Sequence, residues 1–384
     1  MKKKVFYWSP HLNPVGTVKS TLNSALSLTK YSNHYEVHMI NVCGEWNSYE
    51  KFFSEYSIKL IKLNFSYFNY LPKRGFLSSR FSYFLIFLLS FIPLIILLKK
   101  ERPDIIFLHL ITSLPLTILK LFKFKTKFIL RISGYPRLNI FRKMLWKLVS
   151  NEIIHITCPT YDLKKNLENQ NIFKKKKISF LPDAITKIKD LKREINFSLD
   201  ENIPKNKKII LSAGRLTYQK NYSYLINEFF EFSKIDDQFI LLILGDGEKK
   251  KELLKLINKK KIEDRIFLLG HKKNIYSYMQ RSSAFVLSSF WEEVGFVIVE
   301  AALCNSLVIS SNCPNGPREF LNNGERGILF DSNKKNALFK SFKAFSKMDN
   351  NQLFKNKVSL KKEAKKYLIF NHFNNLDKIL KNIY

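Results

Sequence analysis

Short, almost wholly apolar runs alternate along this chain with longer stretches whose apolar positions recur every three or four residues. The short runs read as buried strands and the longer ones as helices. In the first half the predicted strands are Lys4–Trp8, Tyr35–Asn41, Ile58–Leu63, Asp104–Leu110, Lys127–Ile132, Ile153–Cys158 and Lys177–Leu181. Helical patterns lie between most of them, at Thr17–Leu28, Arg80–Leu98 and Ile140–Val149. This alternation predicts a parallel sheet wrapped by helices.

The pattern lapses over Asp183–Lys207, which is charged and polar with Pro204 near its end, and reads as a linker. A second alternation follows. Its strands are Lys208–Ala213, Gln238–Leu244, Arg265–Leu269, Ala284–Leu287, Leu307–Ser310 and Gly327–Phe330. Its helices are Asn221–Phe232, Lys249–Lys259, Phe296–Cys304 and Asn336–Lys347, and the Lys- and Asn-rich tail Asn351–Tyr384 is also helical in pattern. The expected architecture is therefore α/β: two doubly wound domains, 1–185 and 208–365, joined by the linker 186–207, with the tail from about 366 packing back on the first. The 384 residues suit two domains. Ligands of open α/β sheets gather at the carboxyl ends of strands, so chemistry is sought there, in a cleft between the domains.

Phe81–Leu98 departs from the amphipathic norm. It reads FSYFLIFLLSFIPLIILL, between Arg80 and the cluster Lys99, Lys100 and Arg102. Its length is at the lower edge for a bilayer span, and a helix apolar all round is either buried or in lipid. A span here would split one α/β domain across a membrane, so a core helix or a membrane-resting helix is expected.

Charge changes the picture next. Lys+Arg number 65 against 32 Asp+Glu, a formal net charge of +33. Such a surface suits polyanions: nucleic acid, anionic lipid or phosphorylated substrates. Biased codon usage accounts for abundant Lys, Asn, Ile and Phe equally well. No helix-turn-helix, zinc-finger or RNP-like motif appears, so no nucleic-acid partner is expected. Cys43, Cys158, Cys304 and Cys313 form no CxxC pair and no zinc-type cluster, and they read as buried, reduced thiols. The start MKKKVFYWSP lacks an apolar signal core, so a cytoplasmic protein is expected.

Five segments could carry chemistry. In SAGRLTYQKN, Gly214 permits close backbone approach, and Arg215 and Lys220 stand at a strand end beside a helix N-terminus, which suits a diphosphate. The alternative is two solvated charges in a Lys-rich chain. In SFWEEVGFVIVEAAL, Gly295 precedes a helix whose free N–H groups can accept an anion. Glu300 lies just over a turn into that helix, placed to accept hydrogen bonds from a sugar or ribose diol. Glu292 or Glu293 could do likewise, or could simply offset the helix dipole. SSNCPNGPREFL reads equally well as an ordinary turn, and LLILGDGEKK reads first as a structural turn with Asp246 as a helix cap. HLNPVGTVKS puts Gly16 at the turn into the first helix.

The order GRL-x3-KN, GDG, E-x7-E running into EAA, then SNCPNGPREFL-x2-G resembles glycosyltransferase family 4, the retaining GT-B enzymes. The last two motifs are most similar to bacterial members that build surface polysaccharides, O-antigen among them, or glycans on lipid carriers. The resemblance covers Ser212–Phe330, and the N-terminal half matches only in general pattern. It implies a GT-B fold of two Rossmann-like domains. It also implies transfer of a hexose or N-acetylhexosamine from a nucleotide diphosphate donor, of UDP type, to a lipid-linked saccharide at the inner face of the cytoplasmic membrane. Arg215 and Lys220 would neutralise the diphosphate. Glu300 would hold the ribose, and Glu292 the transferred sugar. The Gly295 and Phe296 amides would lie near phosphate or sugar, and Gly16 would approach from the other domain. No Asp-x-Asp motif occurs and no metal or other cofactor is expected, the basic residues serving instead. Many family members carry a His after the middle strand of the first domain. Here FILRISGYPRL has none, leaving Ser133 or Arg131 for that place and His109 as a rival. Another enzyme on the same scaffold, a nucleotide-sugar epimerase, is the competing activity.

Overall fold

The computed structural model describes residues 2–13, 16–73, 75–199 and 203–383, with the backbone alone for Phe76. Pro14 and Val15 of the first glycine loop lie outside the described residues. Two compact units form, one of Met1–Ile185 with Ile369–Tyr384 and one of Thr186–Leu368.

The first unit holds seven parallel strands: β1 (Lys3–Trp8), β2 (Tyr35–Asn41), β3 (Lys59–Lys62), β4 (Ile105–Leu108), β5 (Lys127–Arg131), β6 (His155–Cys158) and β7 (Ile178–Phe180). They lie in the order β3-β2-β1-β4-β5-β6-β7. The apolar runs exist because both faces of this sheet are covered. Side chains alternate in direction along a strand. Phe6, Trp8, Ile106, Leu108, Phe128 and Leu130 therefore build one core with Leu94, Leu98, Trp146 and Val149 from flanking helices. Val5, Tyr7, Val37, Met39, Ile105 and Phe107 build the other, with Leu376 and Leu380 of the closing helix Ile369–Ile383.

The second unit has six parallel strands: β8 (Lys208–Ala213), β9 (Phe239–Leu244), β10 (Ile266–Gly270), β11 (Ala284–Leu287), β12 (Leu307–Ser311) and β13 (Ile328–Phe330). Their order is β10-β9-β8-β11-β12-β13. Winding therefore runs outward from β8 in one direction and from β11 in the other, and the β8/β11 seam is the switch point.

One expectation needs correcting. The predicted linker contains the helix Ile188–Glu194, and Thr186 onward belongs to the second unit. Asn274 Nδ2 donates to Glu194 O (2.9 Å) and Arg281 donates to Phe197 O (2.8 Å). Ile188 and Leu191, three apart in a seven-residue helix, are too few for periodicity to reveal, and tertiary contacts stabilise it.

The apolar segment extends further than predicted, as the helix Phe76–Glu101 with Pro93 inside. Among the described residues Leu77–Glu101 is long and apolar enough to cross a membrane, yet 33% of its most apolar window is buried against the rest of its unit. It is a core helix on one side only.

Candidate active site

The β8/β11 seam is built by backbone bonding before any charge is considered. The loop after β8 and the loop after β11 pair through Phe290 N–H to Gln219 O (2.9 Å) and Gln219 Nε2 to Trp291 O (2.8 Å). Ser288 Oγ donates to Lys220 O (2.8 Å). Neighbouring loops then lock on. Leu216 N–H reaches Asp246 O (2.9 Å), and a Cβ on Gly245 would lie 1.9 Å from Gly214 O, so only glycine lets the β8 and β9 turns touch. From the β12 side, Ser311 Oγ donates to Ser289 O (2.6 Å) and Gly316 N–H to Glu293 O (2.8 Å). The turn-like reading of GDG and CPNGP thus has structural content: both brace the seam.

Onto this frame the sequence places its charges. Lys220 Nζ forms an ion pair with Glu292 Oε1, and the two side chains are only 14% and 9% exposed. Ser289 Oγ donates to the same carboxylate oxygen (2.6 Å). Gly214 is half-buried against Lys220: a Cβ there would meet Lys220 Cε at 3.2 Å and Tyr222 Oη at 3.1 Å. The Tyr222 hydroxyl is held far above its usual range by burial. Arg215 is exposed on the same loop, and among the described residues its guanidinium is assigned no partner. Glu293 is exposed and its backbone carries the Gly316 bond.

Gly295 caps the helix Phe296–Leu303 with φ +73°, a left-handed conformation that favours glycine. The half-buried Phe296 opens that helix, so its N-terminal amides emerge at the seam. Glu300 is buried in the helix interior, where Tyr276 Oη donates to its Oε1 (3.2 Å) and lies 3.3 Å from Thr186 Oγ1. Lys220, Glu292 and Gly214 are therefore brought into contact, Arg215 shares the β8 loop with Gly214 and Lys220, and Glu300 rides the helix that leaves the β11 loop of Glu292.

Sequence reasoning missed the polar supports Ser289, Tyr276 and Thr186. It also missed a cluster of rings, exposed at Tyr218 and Trp291 and half-buried at Phe290, with Tyr218 5.0 Å from Phe290 and Phe290 6.5 Å from Trp291. Aromatic residues beside a predicted anion loop were the available signal for the cluster. Tyr276 lies in the six-residue helix Tyr276–Arg281, too short to show a period.

In the first unit the switch point falls between β1 and β4. Gly16 is exposed at the start of the helix Gly16–Tyr31, which follows β1. His109, just past β4, places Nδ1 3.1 Å from Thr21 Oγ1. Burial first, then the Arg131 charge, hold its pKa well below the usual range, so the ring is neutral. Ile111 nearby carries φ +48°, strained for a β-branched residue, with its carbonyl accepting from Trp8 Nε1 (3.2 Å). Ser133 is half-buried after β5.

Arg131, expected at the substrate, is buried among partners of its own unit. Its buried guanidinium pairs with Asp183 Oδ1 (2.7 Å) and donates to Leu181 O (2.9 Å), so its charge is engaged within the unit. Asp183 lies 52 positions away, beyond any local pattern.

Residues 192–367 match the family model for glycosyl transferases group 1. An uncharacterised glycosyltransferase of Methanocaldococcus jannaschii is 32% identical over 241 residues, covering 59% of this chain and 59% of that protein. The N-acetylgalactosamine-N,N'-diacetylbacillosaminyl-diphospho-undecaprenol 4-alpha-N-acetylgalactosaminyltransferase of Campylobacter jejuni is 30% identical over 269 residues, covering 65% of this chain and 72% of that protein. A glycosyltransferase crystal structure from Rickettsia africae shares the fold, with TM-score 0.77 at 18% identity over 100% of this chain and 98% of its own.

Proposed function

From its membership of the group 1 glycosyl transferases, we propose that this chain is a retaining enzyme of glycosyltransferase family 4 that passes a hexose or N-acetylhexosamine from a nucleotide diphosphate donor, of UDP type, to a lipid-linked saccharide. The observation that carries the reading is the Lys220–Glu292 pair at the β8/β11 switch point, with Arg215 beside it.

In the reaction the bond from the anomeric carbon to the diphosphate breaks, and its electron pair leaves on the phosphate oxygen. A new bond forms to the acceptor hydroxyl oxygen, whose proton is released. Negative charge grows on the leaving group, so preorganised cations there lower the barrier most. Arg215 and Lys220 supply that charge without a metal, and Lys220 exchanges its carboxylate partner for phosphate. Glu292, freed, accepts hydrogen bonds from the transferred sugar, with Glu293 alongside. The Gly295 and Phe296 amides and the open backbone at Gly214 meet the phosphates, and Glu300 takes the ribose diol. Gly16 and Ser133 are the contacts proposed for the first unit, where Arg131 positions Asp183 instead.

The Campylobacter relative is named for an acceptor on diphospho-undecaprenol, which supports a lipid-linked acceptor; bacterial surface-glycan synthesis is the setting proposed for it. The +33 charge suits an anionic membrane surface, and because the sequence carries no nucleic-acid-binding motif the proposed partner is lipid at the cytoplasmic face rather than nucleic acid.

A panel of nucleotide sugars tests the reading through thermal stabilisation, because a ligand bound to the folded state raises its melting temperature. A UDP-sugar is expected to stabilise the protein and to turn over only with an acceptor. Conversion of the donor with no acceptor present would favour an epimerase and refute transfer.

A further inference from the structure

The polarity of the helix Phe76–Glu101 is inverted. Facing its own unit are Ser82, Ile86, Ser90, Leu94 and Leu98, a row at four-residue spacing in which both serines are buried. Ser82 Oγ donates to Pro72 O (2.6 Å), and Ser90 Oγ accepts from Asn64 Nδ2 (3.0 Å). Facing outward are Leu77, Phe81, Phe84, Leu88, Ile92 and Ile96, all more than half exposed. No charge interrupts that outer row between Arg80 and Lys99.

A second helix on the same face of the sheet repeats the theme. Ile140–Val149 buries Trp146 and Val149 in the same core as Leu94 and Leu98. It turns Ile140 (83% exposed), Phe141 (77%), Met144 and Leu148 outward. Lys143 and Lys147 rim that stripe. The helix Ser113–Leu121 packs against both helices, so the two cover one face of the sheet. Exposed apolar surface of this extent on a folded unit marks an interaction site. Its basic margins, with Lys99, Lys100 and Arg102 at the far end, select an anionic partner.

We infer that these two helices form a monotopic docking face. They lie in the plane of an anionic bilayer, with Phe81, Phe84, Leu88, Ile92, Phe141 and Leu148 in the acyl boundary and the lysines and arginines among the headgroups. The inward row keeps the first helix packed on its sheet, so it rests on the membrane and does not cross it. Amphipathic helices with basic margins bind this way, through buried apolar area plus attraction to anionic lipid. This deepens the membrane part of the proposed function and rests on it.

The four native cysteines are buried, so a cysteine introduced on the surface can be labelled alone. The full chain carrying Phe84→Cys, Ile92→Cys or Phe141→Cys, each with a bimane label, is mixed with vesicles of phosphatidylcholine and phosphatidylglycerol (3:1) containing lipids brominated at different acyl depths. All three labels are expected to be quenched at one common shallow depth. The pair Phe84→Ser with Ile92→Ser is expected to weaken partitioning at least tenfold, with melting temperature and UDP stabilisation unchanged. Deep quenching confined to the centre of the first helix would mean a span and overturn the inference. So would unquenched labels on a protein that still sediments with the vesicles, or burial of the labels in a dimer. Failure of the wild-type chain to bind acidic vesicles at all would instead remove the membrane part of the proposed function.

Discussion

Replacing Lys220 separates its structural work from its chemical work. In the ligand-free protein its ammonium neutralises Glu292, and both side chains are nearly buried. Lys220→Met strands that carboxylate with one hydroxyl donor, Ser289. Breaking a buried pair by deleting one partner costs about 3–5 kcal/mol, and the residual exposure here argues for about 3. A unit of this size loses on the order of 3 °C of melting temperature per kcal/mol, so a drop of about 9 °C is expected. Adding Glu292→Gln removes the stranded charge and keeps an acceptor for Ser289, so the double variant should recover most of that loss. Recovery of stability should not bring recovery of phosphate binding. UDP should stabilise the wild-type chain and fail to stabilise either variant, because the cation proposed to meet the diphosphate is gone. The assay is a four-way cycle of chemical denaturation, each arm repeated with saturating UDP. If UDP stabilised the double variant as much as the wild type, Lys220 would serve only to balance Glu292, and the diphosphate assignment would fail.

Other outcomes follow from the same geometry. Arg215→Ala should slow transfer about 100-fold, near 3 kcal/mol of barrier, with little effect on stability because the side chain is exposed; steady-state kinetics with an identified donor check this. Glu300→Gln should raise the donor KM more than it lowers kcat, and a 2′,3′-dideoxy donor should erase the difference from wild type. Arg131→Met strands the buried Asp183 and should cost about 3–5 kcal/mol in urea denaturation, while Arg131→Met with Asp183→Asn regains most of it. His372 is buried and neutral, its pKa lowered to about 4 mainly by burial. Below its usual value of about 6.5 the unfolded chain protonates first, so its contribution is complete above that pH and shrinks by about 2 kcal/mol by pH 5. His372→Gln should flatten the stability profile between pH 7.5 and 5 by that amount.

Much of this architecture was legible in the chain, because strands buried on both faces must be apolar throughout. Tyr35–Asn41, Lys208–Ala213, Ala284–Leu287 and the helix Ile140–Val149 appear where the pattern put them. The catalytic candidates were legible as well, since a strand-end loop needs glycines and charges at fixed local spacing: Gly214, Arg215 and Lys220 in one segment, Glu292, Gly295 and Glu300 in another. What local pattern could not contain is pairing across distance. Lys220 meets Glu292 72 positions on, and Arg131 meets Asp183 52 positions on; only folding could decide that one cation is balanced at the β8/β11 seam and the other locked in a core. The same holds for the apolar helix. Its composition is equally compatible with a core, a span or a surface, and the choice lies in which side packs. A periodic signal records how apolar a face is, and tertiary contact alone determines which face is covered.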